Sequence, residues 1–188
     1  MNEQSPLSYS VAAAAEARCI VTTARLMLGR RVHLPTERVG LEVSFANGTS
    51  ARVYRETIVE GVEPAATCAL VVEFKLRFVR GRGHDVFRWE SLLNTPLFVG
   101  FPGFVSKLWL THDEKGFYRG IYDWDGPERA EHYARSLWRV LQLGCEPPSI
   151  HYVVLPGVRR DELLAGRNLI DASVPGTPMA WWRPVAEA

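Results

Sequence analysis

An α+β fold built on a split β-α-β-β-α-β unit is what this sequence predicts, and three observations carry the prediction. The stretch CALVVEFKLRFV, starting at Cys68, alternates apolar and charged residues over the length of a strand. Two more alternating stretches, about 104–111 and 117–124, flank the turn-forming run Asp113-Glu114-Lys115-Gly116. A helical pattern follows at once, and IHYVVL closes the unit as a last strand. That order gives an antiparallel four-stranded sheet with two helices on one face.

Before the unit, residues 1–65 read as an extension. About 10–30 is Ala-rich, with Ile20, Ala24, Met27 and Leu28 at helical spacing, and Gly29 and Pro35 stop the helix. Val39, Leu41, Val43 and Phe45, then Ala51, Val53, Thr57 and Val59, alternate with polar neighbours around Asn47-Gly48. Asn-Gly tolerates positive φ at both turn positions, so a tight hairpin is expected there.

The unit itself is assigned to 66–170. On its first strand Leu70, Val72, Phe74, Leu76 and Phe78 share one face, and Glu73, Lys75 and Arg77 the other. After the turn RGRG, Asp85 is placed as the N-cap of a helix through about Leu93, and Pro96 and Pro102 bound the next loop. Asp125 is read as the cap of the second helix, with Glu128 completing a capping-box-like pair and Pro127 in the first turn. Ala130, Ala134, Leu137 and Leu141 form its apolar stripe, and Gly144 with Pro147-Pro148 ends it. Residues 171–188 read as an arm that packs the Trp181-Trp182 pair against something.

Composition bounds the partners. The 188 residues are 47% hydrophobic and 23% charged, with a formal net charge of +1, as in an ordinary globular domain. Neither nucleic acid nor an anionic membrane has an electrostatic reason to bind. The three cysteines are widely separated, which argues against a disulfide framework and for a reducing, cytoplasmic compartment. Neither a CxxC pair nor an HExxH helix occurs, so no metal site is expected. The run VAAAAEARCIVTTARLMLG lacks a preceding basic segment and is broken by Glu16, Arg18 and Arg25, so it reads as neither an export signal nor a membrane span.

Two helices leave one sheet face without a cover. Arg119 and Asp123 share a face of their strand, opposite Tyr118, Tyr122 and Trp124, while Lys107 can lie beside Trp109. Glu73, Lys107, Arg119 and Asp123 are grouped as a buried charge network, read as an interface lock of a homodimer in preference to a polar floor for an anionic intermediate. Strand register decides which rows coincide, and a slip of one residue reverses the faces.

The run FPGFVSKLWL…GFYRGIYDWDGPERAEHYARSLWRVLQLG resembles the dimeric α/β-barrel superfamily, most of all its small monooxygenase-like branch, related to the antibiotic-biosynthesis monooxygenases. The resemblance rests on the Pro-Gly-aromatic opening, the Lys-x-Trp strand, the Gly-Ile-Tyr strand and the Ala-x-x-Tyr helix, and covers about half the chain. It implies a ferredoxin-like protomer whose sheet closes with that of a second copy into a barrel. It also implies a ligand cavity between sheet and helices or at the barrel mouth.

The resemblance further implies cofactor-independent monooxygenation of an aromatic or polyketide-like substrate. A cyclase, dehydratase or isomerase of the same fold, or a non-catalytic ligand-binding protein, are the alternatives. Trp89, Trp109, Tyr122 and Trp124 are the candidate pocket residues, although the same rings, with Trp138, Tyr118 and Tyr133, would equally build a core. His84, after a strand and beside a helix start, is the candidate base, with Arg80 and Arg82 nearby as an anion site or a solvated turn. No cofactor is expected. Heme-degrading relatives carry an axial histidine on the helix that holds His132, but His132 is off the apolar stripe. His112 reads as solvated and His151 as a sheet-face residue.

Overall fold

The computed structural model describes residues 5–77, 95–166 and 181–185. The expected helix from Asp85, the RGRG turn, His84 and Trp89 lie outside the described residues.

Among those residues the chain is α+β, with an antiparallel sheet of seven strands. The strands are β1 (Val32–His33), β2 (Glu42–Ser44), β3 (Ser50–Val59), β4 (Thr67–Lys75), β5 (Phe104–Leu110), β6 (Phe117–Asp125) and β7 (His151–Pro156). The helices are α1 (Tyr9–Leu28), α2 (Pro127–Gly144) and the short α3 (Arg160–Leu164), and single 3-10 turns lie at Thr95–Leu97 and Pro147–Ser149. The order across the sheet is β1-β3-β5-β6-β4-β7, with β2 folded back on β3. No helix among the described residues is long and apolar enough to cross a membrane.

The amino-terminal segment is part of this sheet. β3 pairs with β5 from Val53↔Leu110 to Ile58↔Ser106, extending the sheet at the β5 edge. The hairpin that delivers β3 differs from the expected turn. Positive φ occurs at Gly48 alone (78°), and the Gly48 N–H donates to the Phe45 carbonyl at 2.9 Å. The Asn47 side chain instead accepts from the Thr49 N–H and hydroxyl, at 3.2 and 2.8 Å. One left-handed residue suffices because the side chain completes the loop.

The α2 start is also corrected. Gly126, at φ 97°, is the N-cap, and Asp125 does not cap the helix with its side chain. Its carboxylate accepts the Ala65 and Ala66 N–H groups at 2.9 and 3.1 Å, which anchors the approach to β4. The stripe works as expected: Ala130 and Ala134 are buried, and Leu137 and Leu141 pack onto the same core.

α1 and α2 cover one face of the sheet, over Leu70, Val72, Trp109, Tyr122, Trp124 and Tyr152. α1 is seated by Gly100: a Cβ there would stand 2.1 Å from the Cys19 carbonyl oxygen and 2.7 Å from the Thr23 nitrogen. Only glycine allows that backbone approach.

The other face is not left for a second copy. Val71, Leu108, Leu110, Ile121, Val153 and Leu155 are covered by Val43, Phe45 and α3, and by Trp181 and Trp182 of the carboxy-terminal arm. The arm adds backbone bonds to β2, from Ala46 N–H to the Arg183 carbonyl and from Val185 N–H to the Ser44 carbonyl, both 2.9 Å. The face expected to meet a homodimer partner is therefore closed by the chain itself.

Its charges are paired internally too. Arg119 reaches Glu73 at 2.7 Å and Asp113 at 2.9 Å, with its guanidinium over the Phe45 ring. Arg160 meets Glu56 at 2.8 Å, Glu56 also receives Arg38, and the Arg160 N–H donates to Asp123 at 2.7 Å. One guanidinium facing two carboxylates carries a negative excess, and burial lifts the Glu73 pKa to about 7 against the pull of Arg119. A proton on Glu73 makes that triad neutral.

Candidate functional site

Lys107 is absent from both ion networks. β5 is bulged between Phe104 and Ser106, and beyond the bulge Ser106 pairs with Asp123 and Lys107 with Tyr122. Arg119, Asp123 and Glu73 therefore serve the arm-covered face, while Lys107 stands with Trp109 and Tyr122 under the helices. Grouping Lys107 with those three ions is corrected by this register.

The local sequence makes room for the arrangement. Trp109 lies opposite Gly120, and a Cβ at Gly120 would fall 2.7 Å from the Tyr122 ring. The tyrosine ring thus lies back across its own strand, where a side chain at 120 would push it away. The Trp109 indole N–H donates to the Thr57 hydroxyl at 3.3 Å, which fixes its ring plane.

The result is a cage. The Lys107 Nζ sits 3.1 Å from the Trp109 ring centre, 4.6 Å from Phe98 and 4.7 Å from Tyr122. Lys107 is 5% exposed, and it has no ion pair among the described residues. Desolvation drives its pKa well below the ordinary value, and the nearby Arg55 guanidinium lowers it further. Ring faces stabilise an ammonium by about 2 kcal/mol when it is desolvated, whereas removing the ion from water costs several kcal/mol. Desolvation outweighs the rings, so the balance shifts from the ammonium toward the neutral amine.

Lys107, Trp109 and Tyr122 line a cavity of about 160 Å³ between the sheet and α2. Phe74 of β4, Phe98 and the α2 residues Tyr133 and Leu137 complete most of the wall. An apolar cavity of ~150 Å³ accepts benzene, so this one suits a single aromatic ring better than a fused polyketide. The Tyr122 and Tyr133 hydroxyls are hydrogen-bonded at 3.2 Å, and burial raises both phenol pKa values, keeping them as neutral donors. Cys145 also reaches the wall, but burial pushes its thiol to about 12, which rules out a thiolate at neutral pH.

Glu16 of α1 lies behind this wall. Both carboxylate oxygens are buried without a hydrogen-bond partner, and burial raises its pKa to about 7. Its charge makes a small further contribution to raising the Tyr133 and Cys19 pKa values, after burial.

The expected site residues divide. Trp109 and Tyr122 meet at the cavity. Trp124 is fully buried between Phe104 and Tyr133 and lines a separate, polar hollow with Asp123 and Arg159. His84 and Trp89 lie outside the described residues. His132 is exposed on α2, 6.5 Å from the Phe101 ring, and does not line the cavity. A porphyrin exceeds a one-ring volume, so neither the residue nor the space fits heme. His151 stands beside Trp181 at 6.1 Å and His112 beside Tyr118 at 5.6 Å, both far from a catalytic arrangement.

Sequence reasoning missed Lys107 as a site residue. A usable signal was present: only three of the 22 basic residues are lysines, and this one lies two places from a tryptophan on a strand that is otherwise apolar apart from Ser106. Compared with protein-family models, with curated proteins and with solved structures, the chain matches none.

Proposed function

We propose that the chain is a small-molecule enzyme that takes a one-ring, ionisable substrate into the cavity and removes its proton with Lys107. A buried amine that opens on that cavity, with no ion pair among the described residues, is the observation that carries the proposal. A neutral amine accepts a proton from a phenol or an enolisable C–H, and the ammonium and the substrate anion then neutralise each other inside the aromatic walls. Before ionisation the cage holds one unstable charge or none. After it, the cage holds a pair.

The strand order β7-β4-β6-β5, all antiparallel, is that of a ferredoxin-like unit and supports the resemblance to the monooxygenase-like branch. An electron-rich anion is the species that a cofactor-independent monooxygenase presents to dioxygen. The same anion would serve an isomerase or a cyclase, so proton removal is common to these readings. In this proposal the site is built from one chain, a reading supported by the cover of Phe45, Trp181 and Trp182 over the sheet face that a two-protomer barrel would share.

4-Nitrophenol tests the proton transfer directly. At pH 6 in excess protein its phenolate absorbance should grow on binding, and Lys107→Met should bind it with no such growth. Binding in the neutral form by the native chain overturns the role of Lys107. Oxygen uptake with hydroquinone, abolished by the same substitution, separates oxygenation from the alternatives.

A further inference from the structure

Arginine stays charged in a protein, whereas a lysine amine loses its proton when buried. This chain is arginine-rich, yet it places one of its three lysines at the only cage-like point of the described cavity wall. A neutral amine can do more than accept a proton, since its lone pair adds to a carbonyl carbon. We infer that Lys107 forms a covalent imine with a one-ring aromatic aldehyde or ketone held among Phe98, Trp109 and Tyr122. The inference rests on the cavity being the functional site, as proposed above.

The step balances without an added oxidant or reductant. The Nζ lone pair adds to the carbonyl carbon, forming an N–C bond while the C=O electron pair moves to oxygen. A nitrogen proton passes to that oxygen to give a carbinolamine. Nitrogen then expels the oxygen, which leaves as water with the second amine proton, and the C=N bond remains. The Tyr122–Tyr133 hydroxyl pair stands in the same wall and supplies neutral donors for the carbonyl oxygen. Apolar walls favour release of the water that the condensation produces.

Benzaldehyde with sodium cyanoborohydride tests this on the full chain at pH 7, because the hydride fixes an imine as a benzylamine that peptide mass mapping locates. Lys75, half-buried, and Lys115, exposed, are internal standards. An ordinary lysine is neutral in only about one molecule in 2,500 at pH 7. Lys107 should be labelled at least about tenfold faster than Lys115, and benzyl alcohol, which fits the cavity but forms no imine, should slow that labelling. Labelling confined to Lys75 and Lys115, with saturable quenching of tryptophan fluorescence by benzyl alcohol, overturns the covalent step and leaves the cavity standing. Absence of both Lys107 labelling and quenching removes the inference and the proposed site together.

Discussion

Replacing Lys107 with methionine should make the protein more stable. Methionine nearly matches the lysine stem in volume and brings no charge, so the cage keeps its packing. At pH 7 the native chain can at worst deprotonate this lysine, starting from the ordinary pKa of 10.5. That sets a ceiling of about 5 kcal/mol on the cost of its charge at 1.36 kcal/mol per pH unit. The lysine stem and amine also keep dispersion contacts with the rings that methionine replaces only in part, which offsets some of it. A gain of about 2 kcal/mol is expected, or roughly 4–8 °C in Tm for a chain of this size. The pH dependence has a definite sign. Between the lowered folded pKa and 10.5 the unfolded chain binds more protons, so native stability rises with pH across that window. The advantage of Lys107→Met over the native chain should therefore shrink from pH 7 to pH 10 in urea titrations. A loss of more than about 1 kcal/mol at pH 7, with an unchanged m-value, would mean that the ammonium is charged and compensated, refuting the account.

Glu16→Gln should remove a pH-dependent weakness of the opposite sign. The folded pKa of about 7 lies above the ordinary value of 4.5, so the stability Glu16 contributes is complete below 4.5 and lost as pH rises through 7. Urea midpoints should show the variant more stable above pH 7, by about 1 kcal/mol after allowance for partial exposure, and level with the native chain below pH 4.5. Gly100→Ala should destabilise by about 3 kcal/mol in thermal or urea unfolding, because the two nearest of the three obstructing atoms are α1 backbone that no rotamer change can move.

How much of this was legible in the sequence depends on the range of the interaction involved. The alternation along β4 is local and correctly separates Leu70, Val72 and Phe74 from Glu73, because a strand's period follows from its own residues. The α2 stripe is equally local. Pairing between strands is not, and the fate of Lys107 turned on it. Lys107 and Trp109 are two residues apart and must share a face, yet nothing within β5 tells whether Tyr122 or Arg119 lies on that face. The bulge after Phe104 adds a residue that alternation alone does not reveal. Coverage of the second face was hidden for a similar reason: Trp181 and Trp182 lie far along the chain from Val71 and Ile121, in a segment without periodicity. Trp109 and Tyr122, singled out in the sequence as large rings on strands, do line the cavity. Core and pocket are distinguished only by where a space is left between them.

The two faces of the sheet show why that space is informative. Each contains buried cations. On the arm side Arg119 and Arg160 lie against carboxylates at hydrogen-bonding distance, so charge is balanced as the chain folds. On the helix side Lys107 has ring faces and a hollow where a carboxylate would stand. A chain able to pair its buried ions in one place shows no structural need for one that is unpaired, among the described residues, in another. Breaking that pattern reduces stability, and departures of this kind concentrate where a protein handles something other than itself. On the function proposed above, the counter-charge that Lys107 lacks among the described residues is the one that a substrate would supply on ionising.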